Sequence, residues 1–201
     1  MCGRAVPLYE RAARSTGAPP SWREKGRLGL MGCPDYFPLR DGSSWVHVDS
    51  LSGGKNMRLV LSLSVSTGAA SAGTLSGAYY AGAKRFRDYR RAVAKEGWGV
   101  WETRENGRVP IPLYPFRSGR SWTVKAGGKT LRLEIDKTGA TVRTKAGEFS
   151  GCLRVKESSP GDPAWVYDYY CPGVGRVKTS IGVFGRENPN TELASFVVPA
   201  G

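Results

Sequence analysis

One histidine in 201 residues, His47, leaves no histidine-rich metal site to be built. The four cysteines, Cys2, Cys33, Cys152 and Cys171, show no zinc-ligand spacing. No run reaches eighteen apolar residues, so no transmembrane helix is encoded. Acidic side chains are scarce: 17 Asp and Glu stand against 30 Lys and Arg, a net charge of +13. The basic excess is spread, with six basic against two acidic residues in 1–34, eleven against seven in 35–110 and thirteen against eight in 111–201. No single basic tail carries it. A convergent nucleophile and base are also missing. His47 lies in WVHVD with Asp49 two residues on, so both fall on one strand face, but no serine or cysteine is tied to them. Glu134, Asp136, Glu148, Glu157 and Asp168 are scattered among arginines and lysines and read as cross-strand ion pairs. The glycine-rich PGVG at 172–175 precedes a strand rather than a helix, so it is not a phosphate-binding loop. These absences predict a protein that is not an enzyme and uses no cofactor or metal.

What is present is repetition. Residues 36–46 read YFPLRDGSSWV and residues 113–124 read LYPFRSGRSWTV. Pro38 aligns with Pro115, Arg40 with Arg117, Gly42 with Gly119, Ser44 with Ser121 and Trp45 with Trp122, a constant offset of 77. Fixed spacing of this kind indicates a duplicated supersecondary unit, here 36–110 and 113–198. Proline holds an extended approach, glycine permits the turn and tryptophan opens the next strand as an apolar anchor. Elsewhere the pattern is period two. Met57, Leu59, Leu61, Leu63 and Val65 share one face of a strand, and Leu131, Leu133 and Ile135 alternate with charges in another. Small residues from Gly68 to Gly73 form a loop, and 84–96, where helix and strand compete, reads narrowly as strand. The fold expected is all-β: an antiparallel meander closing as a barrel or a two-sheet sandwich from two duplicated halves over 35–201. Residues 1–34, with GAPPSW and GRLGLMGC, read as an irregular N-terminal arm that docks the protein and is dispensable for its folding.

SGCLRVKE (150–157) and AWVYDYYC (164–171) flank the turn-rich SPGDP as two hairpin strands. A hairpin centred near residue 161 sets Cys152 and Cys171 nearly opposite, within disulfide reach. Cys2 and Cys33 would form a second pair, and four free thiols remain the alternative. The same hairpin offers a candidate binding surface, with Trp165, Tyr167 and Tyr169 on one face and Arg154 and Lys156 opposite them. Mutual stacking of these groups is the alternative there. A second candidate surface is the dense run Lys84, Arg85, Arg87, Arg90, Arg91 and Lys95, suited to an anionic membrane surface or a phosphate-rich polymer and equally to a solvated face. At the N-terminus, Cys2-Gly3-Arg4 looks like the start of a mature lipoprotein, which makes Cys2 a lipidation candidate. Leu30–Cys33 has lipobox spacing but too few preceding apolar residues.

The Tyr36–Trp45 segment, its partial repeat at Pro115–Trp122, AGEFSGC ending in Cys152 and YYCPGVG from Tyr169 to Gly175 occur in that order. Together they resemble an uncharacterised group of secreted bacterial β-rich proteins, many of them lipoproteins, over roughly residues 35–198. Cys171 stands where that group usually has alanine, while Cys152 matches the group's own cysteine, which implies a gained disulfide. The resemblance implies an extracytoplasmic location, in the periplasm or on the outer surface, and no agreed activity. The expected function is a non-enzymatic binding or scaffold subunit of a cell-envelope complex, with protein partners. A basic nucleic-acid-binding β-barrel and a carrier of lipid or another small molecule are the alternatives.

Overall fold

The computed structural model describes residues 2–66 and 71–200; positions 68–70 of the expected Gly68–Gly73 loop lie outside them, and Ala72 and Gly73 belong to a strand instead. Among the described residues twelve strands form one antiparallel sheet. They are β1 (Ser44–Asp49), β2 (Arg58–Val65), β3 (Ala72–Ala81), β4 (Lys84–Glu96), β5 (Gly99–Arg104), β6 (Gly107–Leu113), β7 (Ser121–Ala126), β8 (Lys129–Thr144), β9 (Gly147–Ser158), β10 (Ala164–Cys171), β11 (Gly175–Val183) and β12 (Arg186–Val197). Each strand pairs with its sequence neighbour, and β1 pairs with β12, leaving β6 and β7 as the two edges of a nearly closed barrel. The stretch 84–96 is strand throughout.

The sheet stops short of closure for a local reason. Pro110 and Pro112 sit in β6, and Pro110 turns its carbonyl toward β7, where it accepts the Trp122 indole N–H at 3.1 Å. Residues of a strand present N–H and C=O on the same side, so the seam side of β6 lacks donors at its prolines. Val109, Ala126 and Leu133 pack across the gap instead.

The duplicated segments open the two halves with the same hydrogen bonds. Gly42 N–H donates to Leu63 O (3.1 Å) and Gly119 N–H to Ile135 O (2.8 Å); Leu63 N–H donates to Ser43 O and Ile135 N–H to Arg120 O, both at 2.8 Å. Gly42 and Gly119 have φ of 76° and 80°, which explains the repeated glycine. Trp45 lies opposite Leu61 and Trp122 opposite Leu133, each at the second position of its strand. Their indole partners differ: Trp45 donates to Val174 O at 2.7 Å within the main core, while Trp122 staples the seam.

The β8–β9 hairpin outruns β7 and β10. Its register shifts repeatedly between Ile135 and Val142, and its end bends over β11 and β12. There Ala146 N–H donates to Leu193 O (3.0 Å), the Phe149 ring meets Phe196 at 5.9 Å, and Ala140, Val142 and Cys152 pack with Cys171, Val177 and Leu193. The β9–β10 ladder ends at Leu153–Tyr170, and the Cys152–Cys171 disulfide takes over immediately beyond it, with Cα atoms 4.2 Å apart. The bond closes 19 residues of sequence separation and should contribute about 3 kcal/mol through the unfolded chain. Protein purified without reductant should therefore resist thiol labelling even when denatured, and C152S/C171S should lower the urea midpoint. Full labelling of both cysteines would remove the bond from the account.

The arm differs from expectation. Instead of irregular chain it forms two helices, α1 (Cys2–Arg14) and α2 (Pro20–Met31), joined by a Cys2–Cys33 disulfide. The glycines that looked unfavourable for helix are what allow contact. A Cβ at Gly29 would lie 2.5 Å from the Tyr9 ring, and one at Gly26 would lie 2.6 Å from Ala13 N. The pair packs Leu30, Met31 and Ala13 against Tyr114, with Trp98 and Phe116 alongside. Tyr114 O–H donates to Glu10, and burial, with that carboxylate, raises the phenol to about 12. Because this hairpin covers part of the body's core, dispensability no longer follows. Deleting residues 1–33 should lower Tm by about 5 °C or more; an unchanged scanning-fluorimetry midpoint would restore the appendage reading. With its Sγ bonded to Cys33, Cys2 also has no thiol to offer a lipid, so that candidate modification is incompatible with this bond.

Candidate functional site

Inward-pointing residues of β3, β4, β5, β9, β10 and β11 converge on a polar cleft of about 270 Å³. Alternation does the placing. On β5, Glu102 and Arg104 both line the cleft, and on β10 Val166 and Asp168 line it while Tyr170 lines a void below. Arg104 is the hub. Its Nε donates to Glu102 at 2.8 Å, and its Nη1 reaches both oxygens of Glu157 at 2.9 Å. Glu102 is 7% exposed and also accepts the Tyr89 O–H at 3.1 Å. Across the cleft Arg176 faces Asp168 at 3.8 Å, and Thr179 donates to the same carboxylate at 2.5 Å. Burial alone would lower the Arg104 guanidinium, but Glu157 and Glu102 hold it above its usual value. Arg176 follows the same logic, with Asp168 the leading stabiliser. Burial pushes the Tyr89 and Tyr170 phenols up, so both stay protonated donors at neutral pH.

Arg91 is different. It makes no carboxylate contact within 4 Å among the described residues and lies 5.2 Å from the Tyr89 ring centroid. Its Nη1 donates only to the Arg90 carbonyl, at 3.3 Å, so the cleft presents one cation without a carboxylate partner beside three carboxylates that have theirs. Below it, Phe37, Trp45, His47, Leu61, Leu75, Ile111 and Tyr170 enclose a void of about 40 Å³. That space suits a water molecule. An acyl chain does not fit it, which removes the support for an apolar cup inside the barrel.

The sequence-derived residues distribute as follows. Arg154, Lys156, Trp165, Tyr167 and Tyr169 do come together, on the face of the β9–β10 ladder opposite the cleft, and they stack on one another. Arg154 lies 4.5 Å from the Tyr167 centroid, Lys156 4.8 Å from Trp165, and Trp165 and Tyr167 are edge to face at 6.3 Å. Arg154 also donates to Asp136, and Tyr169 to Glu187 at 2.9 Å. Lys84, Arg85, Arg87 and Arg90 are exposed on the outer part of β4, whereas Arg91 turns into the cleft and Lys95 pairs with Asp35 at 2.8 Å. All five carboxylates read as cross-strand partners form ion pairs: Arg154–Asp136, Arg143–Glu148, Arg104–Glu157 and Arg176–Asp168 cross between strands, whereas Glu134 pairs with Arg132 on the same strand, β8, rather than across it. His47 and Asp49 form no pair. Asp49 caps the β1–β2 loop by accepting from Ser52, Gly54 and Met57, while His47 is 3% exposed beside the void.

Glu102, Arg104, Arg176, Tyr79 and Tyr89 are functional candidates that the sequence reading missed. The available signal was a charge at an inward strand position, Val100–Glu102–Arg104, which alternation marks but spacing cannot pair with a residue far along the chain. Among the described residues no three metal-capable side chains cluster and no helix is long and apolar enough to cross a membrane.

This fold resembles that of two solved structures. One, from Bacteroides fragilis, is described as an exported protein with a YmcC-like fold; it is 16% identical, with a TM-score of 0.59 over 83% of this chain and 100% of that one. The other, from Parabacteroides distasonis, is described as a lipoprotein; it is 15% identical, with a TM-score of 0.53 over 81% of this chain and 98% of that one. No family model and no curated protein matches the sequence. The shared property is the fold.

Proposed function

We propose that this chain is a non-enzymatic β protein of the extracytoplasmic space, acting as a binding or scaffold subunit at the cell envelope. The observation that carries the reading is the joining of all four cysteines in two disulfides on a fold held in common with proteins described as exported or as a lipoprotein. Such bonds persist in oxidising compartments. The cleft supports a binding role over a catalytic one. Glu102, Glu157 and Asp168 are each tied to an arginine or a hydroxyl, so none is poised as a free base.

A tagged copy expressed in the source cell tests this. The protein should fractionate with the envelope, with its thiols unreactive; a cytoplasmic, reduced protein would overturn the reading. A nucleic-acid role remains the rival on charge, and it requires affinity for oligonucleotides that falls steeply with salt.

A further inference from the structure

In an antiparallel meander every odd-to-even turn lies at the same end. The β1–β2, β3–β4 and β11–β12 turns therefore share one rim, and sheet order makes them adjacent. Leu51 in the β1–β2 turn is 85% exposed and Phe184 in the β11–β12 turn 82%, while Phe86, at the third position of β4 just past the β3–β4 turn, is 54% exposed with its ring 6.0 Å from Tyr79. The other three turns on that rim, β5–β6, β7–β8 and β9–β10, carry none among the described residues. Each apolar tip is flanked by exposed cations: Lys55 near Leu51, Lys84, Arg85 and Arg87 around Phe86, and Arg186 beside Phe184. The acids nearby pair with two of these cations, Asp88 with Arg85 and Glu105 with Arg87, and Glu187 accepts from Ser180 and Tyr169, which leaves Lys55, Lys84 and Arg186 without an acidic partner among the described residues.

Phe184 is the telling residue. Phe184 and Gly185 form a two-residue hairpin loop with φ of 48° and 79°, where asparagine and glycine are the inexpensive choice. A bulky side chain rarely adopts that backbone, and here the ring gains no burial in return. Cations along an exposed strand edge have a mundane use in blocking edge-to-edge aggregation. That use leaves the solvent-facing Leu51 and Phe184, and the half-exposed Phe86 beside them, unexplained.

We propose that this arc of hairpin tips docks on an anionic lipid surface. Leu51, Phe86 and Phe184 enter the headgroup region, and the flanking lysines and arginines meet lipid phosphates. The combination fits a bilayer interface because that partner offers an apolar layer directly beneath a layer of negative charge. The proposal deepens the envelope reading by naming a surface and its partner, and its test does not depend on cell fractionation.

Co-sedimentation of the full chain with vesicles checks it. The protein should bind phosphatidylcholine–phosphatidylglycerol vesicles and leave pure phosphatidylcholine vesicles unbound. L51S/F86S/F184S should reduce partitioning by about tenfold or more, and R85E/R87E by about tenfold. Raising salt from about 0.1 M to about 1 M should release the protein as the screening length falls from about 10 Å to about 3 Å. All the substituted side chains are exposed, so unchanged melting curves will verify folding. Failure to bind anionic vesicles overturns the proposal, as does equal binding by the triple variant. Loss of binding in L8S/W22S, on the helical hairpin, with the tip variant unaffected would move docking to the arm and overturn it too. Oligonucleotide binding without vesicle binding would assign the cations to nucleic acid.

Discussion

Between about pH 6.5 and about pH 4 the protein is expected to lose stability at up to about 1.4 kcal/mol per pH unit, and H47Q to remove most of that slope. His47 is nearly inaccessible, and burial, with the Arg176 charge, lowers its pKa from 6.5 to about 3. Tyr89, Glu102 and Tyr170 line the same void, and the Glu102 carboxylate does not offset those two effects. The unfolded chain takes up a proton near pH 6.5, whereas the folded chain takes it up only near pH 3. The unfolded state therefore binds more protons throughout the window. The stabilisation is fully present above 6.5 and drains away as the pH falls toward 3. His47 is the only histidine, so the upper part of the window holds no competing side chain. Asp49, lowered to about 2 chiefly by its Ser52 hydrogen bonds, acts below about pH 4. Urea-unfolding free energies of the wild type and H47Q across the range decide the matter. A wild-type profile that is flat from pH 6.5 to 4 would mean the imidazole accepts its proton inside the folded protein.

R104M is expected to be the most damaging single change in the cleft, costing about 3–5 kcal/mol. It strands Glu102, which lies almost wholly out of solvent, and removes the bidentate partner of Glu157. The triple variant E102Q/R104M/E157Q should recover much of the loss, because its three side chains are neutral. R104K should not rescue, since an ammonium lacks the planar fork that serves two carboxylates together. Chemical denaturation of the three variants provides the comparison. If R104M stays within about 1 kcal/mol of the wild type, the cluster is not held by this ion pairing.

Legibility divided by distance along the chain. β2 could be read from Leu59, Leu61 and Leu63 because a strand sorts residues by parity and the sorting is local. The Cys152–Cys171 pair was legible for the same reason, since a short turn fixes which residues meet. The ion pairs of Glu134 and Glu148 with Arg132 and Arg143 lie within or between adjacent strands. The Arg104–Glu157 pair spans 53 residues and the closure of the sheet, so no local rule reaches it. The arm failed differently. Gly26 and Gly29 weaken a helix taken alone, and only the neighbouring Tyr9 and Ala13 show that they make room for close packing.

The sequence by itself determined an all-β chain, a duplicated opening unit and the hairpin that aligns Cys152 with Cys171. These follow from side-chain parity and turn chemistry, which act over a few residues. Only the tertiary structure decided that the sheet curls until β1 meets β12, which brings Glu102, Arg104, Glu157, Asp168 and Arg176 into one cleft and gathers Leu51, Phe86 and Phe184 on one rim. The physical reason is that curvature and closure arise from the summed twist and register of twelve strands. No single segment encodes that sum, so the groups it assembles carry no mark of their meeting in the sequence.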